Sequence, residues 1–338
     1  MGSKNDMIHV TRKAVGLLLV SFCLGLLLGA VFAKVVDIPG IQKPRKIDSW
    51  SIAILTGRSP VEFSVPDGGI RPVLTAKDVR DAPADFVADP FMVRRGSTWY
   101  LFFELLNIER KKGEIGYATS SDGLQWHYEQ RVLVEPFHLS YPYVFEWENT
   151  FYMIPESIGA NQVRLYKAVD FPAKWEFVCP LIYGQHVDPT IVRFEDQWWM
   201  FTGGSSTPQG HDTLRLHHAP DLMGPWVEHP KSPLVQFNAH IARPGGRAIV
   251  WNGNVIRFTQ DCDPTYGNRL RAFQVTTLSE HDYTERELPM APELKASGTG
   301  WNAAGMHTID PHQLAEDNWI ACVDGYQNVN LGYRFGRR

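Results

Sequence analysis

The chain reads Ala88-Asp89-Pro90-Phe91-Met92-Val93, turns, and continues as Thr98-Trp99-Tyr100-Leu101-Phe102-Phe103-Glu104. The same pair of short apolar strands begins again at four later positions: Ser140, Val187, Ala242 and Met306. The last copy is the most diverged. A repeat of about 50 residues filled with short strands is typical of a β-propeller, in which each repeat forms one blade. The sequence therefore predicts an all-β, five-bladed β-propeller.

Each repeat continues with a third strand, a polar turn and an aromatic residue, which gives four strands per blade. In the first repeat, Ile115-Gly116-Tyr117-Ala118 leads to Asp122-Gly123 and then to Trp126. An ordinary β-sandwich also contains many short strands. The propeller is favoured because a sandwich does not repeat one aligned motif five times.

Composition narrows the class of function. The chain has 338 residues, of which 44% are hydrophobic and 12% aromatic, so it can bury a large core. The net charge of −4 and the absence of a Lys/Arg cluster beyond the N-terminal flank argue against nucleic acid as a partner. The sequence also lacks a P-loop, a dinucleotide-binding glycine motif and a Gly-x-Ser-x-Gly elbow.

The N-terminus has a different character from the repeats. Residues 14–33 carry no charge and are long enough to cross a bilayer as a helix, which predicts a signal-anchor. Basic residues in 1–13 precede this segment, so the positive-inside rule places 1–13 in the cytoplasm. We then expect a linker over 34–49 and a propeller over 50–338 on the extracytoplasmic or lumenal side. A cleaved signal peptide is the alternative, since Val31-Phe32-Ala33 is a tolerable cleavage site.

Equivalent positions of the inner strands converge on one central channel in a propeller. Two columns of equivalent positions in the five repeats hold unusually many polar residues. The inner column, at the start of the inner strand, holds Asp89, Tyr141, Asp188, Arg243 and His307. The second column, at the end of the next strand, holds Glu104, Glu156, Gly203, Gln260 (beside Asp261) and Asp324. With His240 ahead of the fourth inner strand, these side chains predict a binding site in the channel.

Each of these residues also has a purely structural interpretation. An Asp before Pro often caps a turn, although two Asp-Pro pairs in one column weaken that explanation for Asp89 and Asp188. Glu104 and Glu156 could accept backbone N–H groups at blade ends. Arg243 could neutralise Asp89 or Asp188, and His307 could be a core histidine.

The motifs carry a resemblance to known proteins. Ala88-Asp89-Pro90 on the first inner strand and Val187-Asp188-Pro189 on the third resemble the arabinanase, xylosidase, levansucrase and invertase superfamily of five-bladed propellers. More closely, residues 50–338 resemble the N-terminal propeller domain of plant glucosamine inositolphosphorylceramide transferases, including at Ser140-Tyr141-Pro142 and Arg243-Pro244-Gly245-Gly246. A glycosyltransferase domain follows the propeller in those plant proteins. This sequence stops at Arg338, so the activity of that domain is not transferred to it.

The resemblance to the glycosidase superfamily implies roles for the Asp pair. Asp89 would be the base or nucleophile, and Asp188 would orient and tune the site. The superfamily places its acid, a Glu, where this chain has Arg243, so Glu104, Glu156 or Asp261 would have to donate the proton. Arg243 would then recognise an anionic group of the substrate.

The remaining polar residues are expected to contact the substrate: Tyr141, His240, Gln260, Asp261 and His307. The resemblance places His307 where related enzymes hold a histidine next to a calcium ion or a water. No cofactor is required by this interpretation, and calcium is the one candidate.

Two functional hypotheses of different class follow. The first is a membrane-anchored, glycoside hydrolase-like enzyme acting on an extracytoplasmic glycan or glycolipid headgroup, with an acidic sugar as one option. The second is a non-catalytic propeller that binds a saccharide and presents it to a partner glycosyltransferase. A protein-interaction propeller is disfavoured, because such a scaffold does not need carboxylates in its central channel.

Overall fold

The computed structural model describes residues 41–42, 45–66, 68–204, 211–331 and 334–335. Within these ranges no helix is long and apolar enough to span a bilayer. The predicted anchor at 14–33 lies outside the described residues.

The described chain is almost entirely β-structure, with two 3-10 turns at Ile158–Ala160 and Gly300–Asn302. Its strands are, in chain order, β1 (Ile41–Gln42), β2 (Arg45–Ser59), β3 (Glu62–Ser64), β4 (Pro72–Leu74), β5 (Ala84–Arg95), β6 (Thr98–Asn107), β7 (Lys112–Ser120), β8 (His127–Leu133), β9 (Ser140–Trp147), β10 (Thr150–Glu156), β11 (Gln162–Asp170), β12 (Lys174–Tyr183), β13 (Val187–Phe194), β14 (Gln197–Gly204), β15 (Thr213–Ala219), β16 (Val227–Glu228), β17 (Ile249–Trp251), β18 (Asn254–Asp261), β19 (Arg269–Leu278), β20 (Tyr283–Leu288), β21 (Ile309–Ala315), β22 (Asn318–Leu331) and β23 (Arg334–Phe335).

Five antiparallel sheets form the blades, which confirms the predicted five-bladed propeller. Blades one to four run in chain order as β5–β8, β9–β12, β13–β16 and β17–β20. Blade five has the order β21-β22-β2-β3, and β4 also pairs with β2. The propeller occupies the compact unit Asp48–Asn328. The strands β1 and β23 form a separate two-stranded sheet, with Ile41 opposite Phe335.

The N-terminal strand β2 completes the last blade, so the two ends of the repeat region are joined by strand pairing. This closure is not visible in the sequence, because residues 45–59 carry no copy of the repeated motif. β2 begins at Arg45, inside the stretch expected to be linker. Pairing with β2 covers the edge of β22 that would otherwise be exposed in the last blade.

The hydrophobic core lies between neighbouring blades, and strand alternation decides which interface each residue joins. On β6, Phe102 packs towards blade two and meets Trp175 edge-on, with ring centroids 5.5 Å apart. Leu101 and Phe103 point the other way and pack with Ile52 of blade five. Each fully buried side chain of this kind contributes about 1.5–3 kcal/mol.

Candidate functional site

The backbone is strained at three positions of the inner column. Asp89, Tyr141 and Asp188 hold equivalent places on the first three inner strands and precede a proline. All three have left-handed backbone, with φ values of 54°, 47° and 48°. The strand register shifts at each of them, as a β-bulge does. Such backbone costs about 1–3 kcal/mol per residue, and bulges redirect side chains near functional sites.

Blades five and one are tied together through Asp324. Its carboxylate accepts the backbone N–H of Asp89 at 2.9 Å, of His307 at 3.1 Å and of Thr308 at 2.9 Å. The Thr308 hydroxyl donates to Asp89 Oδ1 at 2.8 Å. His307 Nδ1 lies 2.8 Å from Asp324 Oδ2, and its Nε2 lies 3.7 Å from Asp89 Oδ1. Residues of the two columns therefore meet here, and Asp324 orients both Asp89 and His307.

Arg243 neutralises carboxylates rather than standing free. Its Nε donates to Asp188 Oδ2 at 2.6 Å and its Nη2 to Asp188 Oδ1 at 3.2 Å. The same Nη2 reaches Glu156 Oε2 at 3.5 Å, and Nη1 lies 2.8 Å from His211 Nδ1. Gln260 Nε2 also donates to Asp188 Oδ2, at 2.7 Å. Of the two interpretations left open for Arg243, this geometry favours neutralisation of Asp188.

Glu104 is the least satisfied member of the site. Its side chain is buried, and Oε1 has no hydrogen-bond partner. His138 Nε2 lies 3.4 Å from this oxygen without hydrogen-bond geometry, and His138 Nδ1 accepts the N–H of Gly113. A Cβ at Gly113 would come within 2.5 Å of the same Oε1, so only glycine leaves room for the carboxyl group.

Burial raises the pKa of three of the site carboxyls, Asp89, Glu104 and Glu156. We call Asp89, Glu104, Glu156, Asp188 and Asp324 the carboxyl cluster. Burial raises the pKa of Glu104 well above its usual range, and the charges of the other four members raise it further. Burial also raises the pKa of Glu156, with Asp188 adding to the effect and Arg243 opposing it.

Asp89 loses its proton more easily than Glu104 does. Burial raises the pKa of Asp89 to about 6, and the neighbouring His307 holds it from rising further. For His307, burial lowers the pKa, but the Asp324 and Asp89 carboxylates outweigh burial and leave it above its usual value. The site thus holds one carboxyl whose pKa is raised to about 6 and another whose pKa is raised well above its usual range. Pairs of this kind mark general acid and base.

The side chains of three predicted site residues lie outside this network, although the backbone N–H of Tyr141 donates to Asp89 Oδ2 at 3.2 Å. Tyr141 is fully buried, and its hydroxyl bonds to Thr190 Oγ1 at 2.7 Å and to Gly246 O at 2.9 Å, which links blades two, three and four. Asp261 pairs with Arg271 at 2.8 Å and with His240 Nδ1 at 2.9 Å. Neither Asp261 nor His240 hydrogen-bonds to the carboxyl cluster within the described residues.

Sequence reasoning missed several side chains at the site: Trp50, His138, His211 and Tyr266. They come from the closing strand β2 or from loops between strands, which carry no repeated column. The Arg243 guanidinium carbon lies over the Tyr266 ring, 5.2 Å from the ring centroid. The Tyr266 ring also meets the His307 ring edge-on, with centroids 5.4 Å apart.

The donor atoms of Asp89, His307 and Asp324 lie within 4.8 Å of one another, close enough for a metal ion. Calcium, however, takes six to eight oxygen ligands. His307 offers nitrogen, and its Nδ1 already bonds to Asp324. The Asp324 oxygens also accept three backbone N–H groups. These residues do not fit calcium.

Replacing Arg243 with Ala should destabilise the fold, because the Asp188 and Glu156 carboxylates would remain buried without their partner. Breaking a buried ion pair from one side costs about 3–5 kcal/mol. Urea unfolding of Arg243→Ala at neutral pH measures this loss. Adding Asp188→Asn should restore part of it, since the second change removes the orphaned charge. A loss below about 1 kcal/mol for Arg243→Ala would show that the pairing does not support the fold.

Solved structures share the propeller fold. An exo-1,5-alpha-L-arabinanase from a bovine ruminal metagenomic library superimposes with a TM-score of 0.54 at 12% identity, covering 74% of this chain and 94% of that one. A thermostable family-43 glycoside hydrolase superimposes with a TM-score of 0.56 at 11% identity, covering 77% and 93%. At these identities the likeness establishes the fold alone.

Sequence relatives are much closer. Glucosamine inositolphosphorylceramide transferase 1 of Oryza sativa subsp. indica is 33% identical over 296 residues, and that of Arabidopsis thaliana is 34% identical over 316. The matches cover 82% and 84% of this chain but only 40% and 41% of those relatives. Residues 43–326 match the family model described as glucosamine inositolphosphorylceramide transferase 1, N-terminal. This chain therefore belongs to the family of the N-terminal domain of glucosamine inositolphosphorylceramide transferase 1.

Proposed function

We propose that the propeller is a glycoside hydrolase-like enzyme whose general acid and base are Glu104 and Asp89. One arrangement carries this proposal: Asp89 and Glu104 are buried in one cluster, and Glu104 Oε1 has no hydrogen-bond partner. Burial raises the pKa of Glu104 well above its usual range, whereas the pKa of Asp89, beside His307, rises to about 6. Glycoside hydrolysis requires such a pair. The proton that the superfamily takes from the fourth blade would come here from the first.

The residues of this chain would divide the reaction as follows. Glu104 donates its proton to the glycosidic oxygen as the bond from that oxygen to the anomeric carbon breaks. Asp89 either removes a proton from the attacking water or attacks the anomeric carbon itself, in which case water later releases the sugar. Arg243 and Gln260 hold the Asp188 carboxylate beside the reacting sugar. Glu156 is the alternative proton donor.

The substrate we propose is an extracytoplasmic glycan or glycolipid headgroup, reached by a propeller held at a membrane by the segment 14–33. The plant relatives are named as glucosamine inositolphosphorylceramide transferases, which is consistent with a glycolipid as the substrate of this chain. Since the Arg243 guanidinium is already paired, we do not assign it an acidic sugar group. Testing acidic and neutral glycans side by side decides whether the substrate is acidic.

A second candidate is a propeller that binds a saccharide without cleaving it and presents it to a partner glycosyltransferase. Two observations favour it. The curated relatives are named as transferases, and this chain spans about 40% of their length. In addition, Arg243 stands in the sequence where the resemblance to the glycosidase superfamily implies the acid, and its guanidinium pairs with Asp188.

Product release distinguishes these functions. The full chain is incubated with a panel of acidic and neutral glycans and with short-chain glycolipids, and both binding and reducing-end products are recorded. Hydrolysis predicts a new reducing end, and proton NMR of the product reports whether the anomeric configuration is retained. Saturable binding with no product from any ligand would support presentation instead and remove the assigned roles of Glu104 and Asp89.

A further inference from the structure

The closing strand β2 delivers a tryptophan into the site. Trp50 is only 6% exposed, and its indole stacks on the His307 ring with centroids 3.9 Å apart and planes 20° apart. Its other face stacks on Tyr326 at 4.2 Å and 29°. The indole is thus held between a blade-five tyrosine and the histidine that reaches Asp89.

Tight packing leaves His307 little freedom to turn. Gly267 has a φ of 62°, and a Cβ there would lie 3.0 Å from the outer ring of Trp50 and 3.1 Å from the Cβ of His307. Tyr266 meets the His307 ring edge-on. Trp50 thus covers one face of the His307 ring, while Tyr266 and the Asp324 carboxylate hold two of its edges. Nε2 lies on the side of Asp89.

The charged and titratable groups facing His307 come from several blades. Asp324 and Asp89 contact its nitrogens, Asp188 acts on it from further away, and the Tyr266 phenol lies against its edge. On the stacked face of the His307 ring, the neighbouring group is the indole of Trp50, which carries no charge. An indole face attracts a cation, most strongly when water is excluded.

We propose that Trp50 is a positioning residue that holds the His307 imidazolium in the orientation in which Nε2 faces Asp89. The role of Asp89 as base rests on the proposed function, but the placement of His307 by Trp50 does not. Since β2 also completes blade five, the strand that closes the propeller is the strand that completes the site.

Histidine titration in the full-length protein tests this proposal without any substrate. The chain is labelled with 13C at histidine Cε1, and the His307 signal is assigned by its loss in His307→Gln. Trp50→Leu should lower the His307 titration midpoint by about 0.5–1 pH unit, because the aromatic face that stabilises the cation is gone. Trp50→Phe should lower it less, since a smaller ring remains.

Trp99→Leu is the matched control. Trp99 is equally buried, at 5% exposed, and packs edge-on against His312 away from the carboxyl cluster. This variant should leave the His307 midpoint at the wild-type value. An unchanged midpoint in Trp50→Leu, or an equal shift in Trp99→Leu, would overturn the proposal. If Trp50→Leu does not fold, an unchanged midpoint in Trp50→Phe would overturn it as well.

A chain that hydrolyses no glycan would refute the proposed function while leaving this titration decisive. Where turnover is found, Trp50→Leu should also move the acid limb of the rate profile to higher pH. The reason is that His307 helps to keep Asp89 ionised, since its charge lowers the pKa of that carboxyl. A purely structural role would change stability without moving that limb.

Discussion

Asp89→Asn should reduce glycan hydrolysis by about 10³-fold or more while leaving the propeller folded. A general base or nucleophile contributes about 10²–10⁴-fold on its own, and an amide can neither accept a proton from water nor attack the anomeric carbon. The fold should tolerate the change, since the Asn oxygen can still accept the N–H of Tyr141. The new amide group would face the Thr308 hydroxyl, which can accept a hydrogen bond.

The pH dependence of stability provides an internal control for this variant. In the folded protein the pKa of Asp89 lies at about 6, above its usual value of 3.8. Its protonated form therefore favours folding at low pH, and this contribution is lost as the pH rises through 6. Between pH 4 and 7 the wild type should lose about 2 kcal/mol that Asp89→Asn does not lose. Urea unfolding at both values measures the difference.

Asp310→Asn is a matched comparison, because Asp310 is a buried aspartate that pairs with Arg247 away from the carboxyl cluster. It should weaken the fold but retain turnover at a temperature where it remains folded. Retained turnover in Asp89→Asn, or an equal loss in Asp310→Asn, would contradict the role of Asp89.

The repeat predicted which positions lie near one another, but not which groups their side chains contact. One motif aligned Asp89, Tyr141 and Asp188, and in the structure these positions share a left-handed backbone. However, an alignment of repeats predicts which residues lie near one another, but not the direction in which each side chain points. It could not decide whether Arg243 binds a substrate anion or Asp188, because that depends on a side-chain rotamer.

Strand alternation could have removed one of the predicted residues. Gln260 and Asp261 are adjacent on β18, so they face opposite sides of the blade and cannot both enter the channel. Gln260 bonds to Asp188, whereas Asp261 faces Arg271. The opposite holds for Trp50: no local pattern connects it to His307, since 257 positions separate them and only the closing strand brings them together.

Glu104→Gln should separate glycans by their leaving groups. Natural glycosides, which need a proton on the departing oxygen, should be hydrolysed about 10²–10⁴-fold more slowly. Nitrophenyl glycosides should lose much less, because nitrophenolate departs without a proton. The basic limb of the rate profile should disappear, since that limb reports loss of the Glu104 proton. Initial rates on both substrate types across pH provide the measurement.

Stability should move in the opposite direction from activity. The pKa of Glu104 is raised in the folded state, so this carboxyl supports folding below pH 4.5 and weakens it as the pH rises through the folded value. Gln has the shape of the protonated acid and never ionises. Relative to wild type, Glu104→Gln should therefore gain stability between pH 4.5 and 8, which urea unfolding would show.

Glu156→Gln distinguishes the two candidate donors. Glu156 also has a raised pKa, but its Oε2 contacts Arg243 and accepts the N–H of Asp188, while Glu104 Oε1 has no partner. The donor must be free to deliver its proton, which favours Glu104. If the dependence on leaving group appears in Glu156→Gln and not in Glu104→Gln, the proton comes from the second blade, and the unpartnered oxygen of Glu104 needs another explanation.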